Sequence, residues 1–296
     1  MIGAIIGDIV GSIYEFHNIK TKQFPLFSPR CEPTDDSIMS LAVAKSILEA
    51  EGDLEALSRH AVANMLWLGN RYPGAGYGGR FYQWLKRGKY TLNPEPYNSF
   101  GNGSAMRVSP CGFAAATLDE AVMTARVTAE VTHNHPEGIK GAEATAAAIF
   151  LAKTGSSIPE IKAYIVEHYY PMRFTLDQIR PDYRFDVSCQ GSVPQALEAF
   201  FESTSYEDAI RNAVSIGGDS DTIACIAGGI AEAYWGVPDP IRKEAMQFLD
   251  DTQKKLLAAF EDKYPPAPAE TRKELNLHAA NNHSLFGNPE EERLEI

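Results

Sequence analysis

Asp53-Leu54-Glu55-Ala56-Leu57-Ser58-Arg59-His60-Ala61-Val62-Ala63-Asn64-Met65-Leu66-Trp67-Leu68 decides the fold class. Its apolar residues Leu54, Leu57, Ala61, Met65 and Leu68 return at steps of three and four, which puts one stripe on one face of an α-helix. The pattern recurs at Ile139, Ala142, Ala146 and Ile149, where Pro136 suits the first helical turn. It recurs again at Tyr206, Ala209, Ile210, Ala213 and Val214. A fourth stripe, Ile241, Ala245, Phe248, Leu249, Leu256 and Phe260, begins just after Pro240. Alternating strand patterns are scarce. Small residues crowd Ala142 to Ala148 and Ala224 to Ala233, and small side chains let helices approach closely. These features predict an all-α fold, a single compact multi-helix bundle over residues 1–264. Pro265-Pro266-Ala267-Pro268 ends the last helix, since proline lacks an amide donor and clashes with the preceding turn. Residues 265–296 then read as a polar C-terminal extension. Arg71 to Phe100, around a short helix near Arg80 to Arg87, and Tyr170 to Ser188 read as irregular.

The chain has 296 residues, 44% of them hydrophobic, enough for a sizeable core without disulfides. Lys and Arg number 27 against 39 Asp and Glu, a formal charge of −12. That balance argues against stable nucleic-acid binding, which needs cations opposite phosphates. A polyanion could still bind if metal ions supplied the positive charge. The four cysteines, Cys31, Cys111, Cys189 and Cys225, form no C-x-x-C pair and read as free thiols of a reducing cytosol. The apolar start from Ile2 to Ile6 is broken by Asp8 and has no basic flank, so it reads as neither signal peptide nor membrane span. The expectation is a cytoplasmic monomer with no membrane contact.

Three acidic segments stand out. Thr34-Asp35-Asp36-Ser37 precedes the helical stretch from Ile38 to Ala50. Such residues cap helix N-termini, but two adjacent acids flanked by hydroxyls also make a hard oxygen-donor cluster for Mg²⁺ or Mn²⁺. Gly217-Gly218-Asp219-Ser220-Asp221-Thr222 repeats the combination before the stretch from Ile223 to Trp235. Facing helices can bring two such clusters onto two cations. Asp8, Ser12 and Glu15, spaced four and three apart, share a helix face beside Ile5, Ile6, Ile9 and Ile13, and polar groups in apolar surroundings need partners. Two more segments suit a phosphate-bearing ligand. Gly101-Asn102-Gly103-Ser104-Ala105-Met106-Arg107 is a glycine-rich loop running into a helical stretch, and either a plain turn or an anion cradle fits it. It is neither a Walker loop nor a dinucleotide fingerprint. Thr132-His133-Asn134-His135-Pro136 offers two histidines with no third zinc-type ligand at a recognisable spacing, so a ligand hydrogen bond or a loop role fits better.

Together and in this order, Gly7-Asp8 to Glu15, Thr34 to Ser37, Gly101 to Arg107, His133 to Pro136 and Gly218 to Thr222 resemble the ADP-ribosylglycohydrolase family. The matches span residues 3 to about 236. The resemblance implies an all-α bundle that removes ADP-ribose hydrolytically with two Mg²⁺ or Mn²⁺ ions. By position it implies Thr34, Asp35, Asp36, Asp219, Asp221 and Thr222 as metal ligands. Glu15 matches a glutamate that lies on a mobile loop over the metals in some members. Gly101, Asn102, Gly103 and Ser104 would face the diphosphate and distal ribose, and His133 would help hold the nucleotide. Ser37 stands where many members have Thr, which keeps the hydroxyl.

The chemistry is consistent with that implication. Two dications convert an anion-repelling acidic site into one that tolerates a diphosphate. They can also orient ribose hydroxyls and lower the pKa of a bound water. Cleavage at the anomeric carbon develops oxocarbenium character, which carboxylates stabilise. Glu15, Asp36 and Asp219 are the candidates for general acid or base. The expected function is removal of ADP-ribose from a protein side chain or related acceptor. The alternatives are a metal-dependent hydrolase of a free ADP-ribose derivative and a non-catalytic binding or structural protein, because the family includes lens crystallins.

Overall fold

The structure, a computed structural model, describes residues 1–91 and 93–266. In chain order the helices are α1 (Ile2–Gly11), α2 (Asp35–Ala50), α3 (Leu54–Arg71), α4 (Gly79–Arg87), α5 (Ser109–Ala114), α6 (Leu118–Glu130) and α7 (Pro136–Lys153). They continue as α8 (Ile158–His168), α9 (Leu176–Ile179), α10 (Cys189–Phe201), α11 (Tyr206–Ser215), α12 (Ser220–Trp235), α13 (Asp239–Ala245) and α14 (Asp251–Lys263). Among the described residues there is no strand, only an isolated bridge between Gly101 and Ser188. The fold is all-α, as the periodicity predicts. No helix of the described residues is long and apolar enough to cross a membrane. The four cysteines are free and buried. Apart from Pro265 and Pro266, the extension expected over 265–296 lies outside the described residues.

The stripes do what their spacing demands. On α3, Leu57, Ala61, Met65 and Leu68 are buried while Leu54, beside the Asp53 cap, is partly exposed. On α11, Tyr206, Ala209, Ile210, Ala213 and Val214 are all buried. The fourth stripe differs from expectation, because it is two helices, α13 and α14. The Asp250 carboxylate accepts the amides of Thr252 and Gln253, and Gln253 accepts the Asp250 amide in return. That capping box starts a new helix where the apolar spacing alone runs on.

The centre of the bundle is α1 lying on α12. All ten residues of α1 are buried, as is α12 from Ser220 to Tyr234. Gly3, Gly7 and Gly11, four residues apart, make the contact. A Cβ on Gly7 would stand 2.0 Å from the Ala224 carbonyl oxygen, and one on Gly11 would stand 2.4 Å from the Asp221 Cα. The two backbones therefore touch, and the end of α1 is held against the start of α12. Helix α2 packs on α3 and α1, which brings its N-terminus to the same place.

Candidate active site

Two helix N-termini and the end of α1 meet at a cleft of about 430 Å³. Its walls include Glu15, Asp35, Asp36, Asp219, Asp221 and Thr222 together with Gly101, Asn102, Gly103, Arg107 and His133. Sequence separations of up to about two hundred residues are closed by the α1–α12 contact and the packing of α2.

The capping question at Thr34 is answered by a residue from another helix. Thr34 is the N-cap of α2, but its side chain bonds none of the helix amides. Asp8 performs that task. Its Oδ2 accepts the backbone amides of Thr34 at 2.9 Å and Ser37 at 3.0 Å, and the Ser37 hydroxyl as well. Its Oδ1 accepts the Thr34 hydroxyl at 2.6 Å. Asp35 and Asp36 are thereby released from capping. Asp36 Oδ2 accepts the Thr222 hydroxyl at 3.2 Å and the Thr34 hydroxyl at 3.4 Å, while its Oδ1 is buried without a partner. Asp219, the N-cap of α12, makes no capping bond either, and accepts the Asn102 side chain at 2.7 Å.

Glu15 is not on the α1 face that its spacing with Asp8 and Ser12 predicts. Helix α1 ends at Gly11, and Ser12–Tyr14 form a 3₁₀ turn that swings Glu15 towards the cleft. Asp8, Asp36 and Asp221 each offer an oxygen within 4.8 Å of the others', and so do Glu15, Asp219 and Asp221. Asp221 belongs to both groups. Among the described residues, none of Asp8, Glu15, Asp35, Asp36, Asp219 and Asp221 forms an ion pair with Lys, Arg or His.

The electrostatic consequence follows from burial and like charge. Desolvation pushes Asp8 up to about 6 against the pull of its hydrogen bonds. Glu15 rises to about 7 through desolvation first and then the charges of Asp219 and Asp8. Asp35, Asp36 and Asp221 are held well above the ordinary carboxylate range by burial first and then by neighbouring carboxylates, Asp8 and Asp219 among them in each case, and Asp219 is raised by burial. An orphaned buried carboxylate oxygen, an all-oxygen donor set and, among the described residues, no cationic side chain paired with it fit hard divalent cations.

The rest of the lining differs. Gly101 and Asn102 are pinned by the bridge to Ser188 and by the Asn102 amide donating to Val187 at 2.8 Å. Ser104 does not line the cleft. Its buried hydroxyl donates to the Gly138 carbonyl at 2.7 Å, tying the loop to α7. His133 lines the cleft, and its Nδ1 lies 2.8 Å from the Thr132 hydroxyl. Burial, together with Arg107 and Arg80, keeps its pKa well below the ordinary histidine value, so the ring is neutral. Arg107 is 1% exposed and donates to the Thr128 carbonyl and the Thr132 hydroxyl, each at 2.8 Å.

Sequence reasoning gave no role to Asp8 as the cap of α2, to Arg107, or to the cleft-lining Arg80, Tyr97, Phe16 and Phe185. For Asp8 a signal existed: an acid inside an otherwise apolar helix must face a donor set. For the aromatic rim there was none, because loop residues carry no periodicity.

Fold and cleft define an all-helical protein with two overlapping groups of carboxylates and a glycine-rich loop lining one cleft. The ADP-ribosylglycohydrolase family model matches residues 1–269, and the chain belongs to that family. It is similar to the human ADP-ribosylhydrolase ARH3, at 27% identity over 80% of this chain and 84% of that one. It is similar to the ADP-ribosylarginine hydrolase Tri1 of Pseudomonas putida (strain GB-1), at 28% identity over 80% of this chain and 70% of that one. A solved structure described as an ADP-ribosylglycohydrolase-related protein complex shares the fold, with a TM-score of 0.65 and 22% identity over 90% of this chain and 96% of that one.

Proposed function

We propose that this chain hydrolyses the glycosidic bond of ADP-ribose attached to a protein side chain or related acceptor, with two Mg²⁺ or Mn²⁺ ions held in the acidic cleft. The observation that carries the reading is the set of converging carboxylates that form no ion pair with a cationic side chain among the described residues, in the cleft that the Gly101 to Gly103 loop also lines. Family membership and the activities in the names of human ARH3 and Tri1 support it.

Thr34, Asp35, Asp36, Asp219, Asp221 and Thr222 would hold the cations, with Asp8 ordering the first three through the α2 N-terminus. When bound, the cations supply positive charge for the ribose hydroxyls and acidify water. The chain's own residues do the rest. Backbone at Gly101 and Gly103 leaves room for a diphosphate to approach. Neutral His133 offers a hydrogen bond without adding charge. Asn102 holds Asp219 in place from the substrate side. Glu15, half-buried at the cleft wall with a pKa near neutrality, is suited to move a proton to or from the reacting oxygen.

The test is a panel of arginine-, serine- and nucleobase-linked ADP-ribose and acetylated ADP-ribose, incubated with Mg²⁺- or Mn²⁺-loaded protein, with free ADP-ribose as the readout. Release from at least one substrate that stops in excess chelator is the expected result. Undiminished release in chelator, or no release from any, would remove the proposal.

A further inference from the structure

One polar side chain outside the cleft joins both segments that carry the Glu15–Asp219–Asp221 cluster. Asn18 pairs with the Gly218 peptide at two points. Its Oδ1 accepts the Gly218 amide at 2.8 Å, and its Nδ2 donates to the Gly218 carbonyl at 2.9 Å. The same Nδ2 donates to the carbonyls of Tyr14 at 2.7 Å and Glu15 at 2.9 Å. The backbone opposite is shaped for this. Gly217 and Gly218 have φ of +69° and +78°, a path that favours glycine, and a Cβ on Gly217 would stand 3.1 Å from Asn18 Oδ1. Lys20 adds a second strap, donating to the carbonyls of Ile216 at 2.5 Å and Tyr183 at 2.7 Å.

We propose that Asn18 is a positioning residue, which sets Glu15 against Asp219 and Asp221 by fastening the segment after α1 to the turn before α12. Glu15 lies beyond the end of α1, at the close of the Ser12–Tyr14 turn, and its carbonyl accepts the Asn18 side chain. Asp219 follows two glycines, whose backbone is the least restricted of any residue. Each carboxylate thus sits at the edge of a helical element rather than within one, and Asn18 couples the two segments. Asn18 is solvent-facing and its bonds to Tyr14 and Glu15 are exposed, so water replaces part of what it supplies when it is removed. The fold then loses little, and the registry between the carboxylates is what suffers.

The part of this inference that concerns cations rests on the proposed function, and the experiment separates the two. Full-length Asn18→Ala is compared with wild type in three measurements: hydrogen exchange at the Gly218 amide in metal-free protein, calorimetric titration with Mn²⁺, and the urea unfolding midpoint. Expected are about tenfold faster Gly218 exchange and about tenfold weaker Mn²⁺ binding, the scale of one or two lost hydrogen bonds, at a midpoint close to wild type. Unchanged exchange, or unchanged Mn²⁺ affinity, would overturn the positioning role. So would losses matched by an equal collapse of the midpoint, which denote general destabilisation. A wild-type chain that takes up no Mn²⁺ would overturn the cation reading alone, and the Gly218 exchange rate would then decide whether Asn18 couples the segments.

Discussion

Asp8 accepts the backbone amide of Ser37 at 3.0 Å, so the cap of α2 comes from α1 rather than from the acids that open α2. The relationship divides the labour among neighbouring carboxylates. One acid satisfies the orphan amides and hydroxyls of the helix start, and Asp35 and Asp36 face the cleft.

The first prediction contrasts Asp8→Ala with Asp36→Ala in metal-free protein. Removing Asp8 leaves the Thr34 and Ser37 amides without their acceptor, at a cost of about 2 kcal/mol. For a chain of this size that lowers the melting temperature by roughly 4–8 °C. Asp36→Ala removes a charge that no amide uses and relieves repulsion, so its melting temperature should hold or rise. Thermal scans in chelator measure both. Equal losses in the two variants would contradict the assignment of the cap to Asp8.

The second prediction concerns pH. Asp8 and Glu15 have folded-state pKa values of about 6 and about 7, above their ordinary values of 3.8 and 4.5. Between those limits the folded state binds more protons than the unfolded one, so stability falls as pH rises. With respect to these two groups, metal-free protein should therefore be most stable below about pH 4, and should lose that contribution as pH climbs through about 7. Added Mn²⁺ should flatten or reverse the slope, because a dication stabilises the ionised carboxylates. Urea midpoints from pH 5 to pH 8, with and without Mn²⁺, give the slope directly. In Asp8→Ala/Glu15→Gln the metal-free slope should be shallower than in wild type yet still negative, because Asp35, Asp36, Asp219 and Asp221 are raised as well; a metal-free wild-type midpoint that rises with pH would contradict the shifts.

The third prediction tests the contact that assembles the site. Gly7→Ala places a methyl group 2.0 Å from a backbone oxygen of α12, which cannot move aside as a flexible side chain would. The helices must separate, at a cost of about 3 kcal/mol or more. The melting temperature should drop by at least about 6 °C. Thermal unfolding followed by circular dichroism is the measurement, and a wild-type melting temperature would show that α1 and α12 have slack between them.

Much of this was legible in the chain, for identifiable reasons. The α3 and α11 stripes bury one face at helical spacing, so Leu57 to Leu68 and Tyr206 to Val214 announce themselves. The clusters at Thr34 to Ser37 and Asp219 to Thr222 were conspicuous because acids and hydroxyls gather before helices rich in small residues. The division of α13 from α14 was hidden because its cause is the Asp250 side chain rather than a break in hydrophobic spacing. The position of Glu15 was hidden because α1 ends at Gly11, where the glycine packs on Asp221, a contact that local spacing does not encode. The role of Asp8 as a cap required knowing that α2 starts beside α1.

The last prediction concerns Glu15, and it separates proton transfer from cation holding. Glu15 lies within 4.8 Å of Asp219 and Asp221 by carboxylate oxygens, yet it stands on a turn rather than a helix start and is only half-buried. Desolvation and the neighbouring charges raise it to about 7, where a carboxyl group both holds and releases a proton at neutral pH. Glu15→Gln keeps the shape and removes the charge and the basicity. If Glu15 moves a proton, turnover should fall by about 10²–10⁴, the usual contribution of a placed acid or base. ADP-ribose affinity should survive, and should tighten if the Glu15 anion competes with ribose hydroxyls for the same cation. Turnover on the substrate released fastest in the panel, beside calorimetric titration with ADP-ribose and with Mn²⁺, reads the three quantities. Loss of Mn²⁺ and ADP-ribose binding together would make Glu15 a cation ligand, and unchanged turnover would leave it a polar residue at the rim. Asp219→Ala supplies the contrast: its carboxylate is buried, held by Asn102, and shared with the Asp221 group, so its loss should abolish Mn²⁺ binding and turnover together.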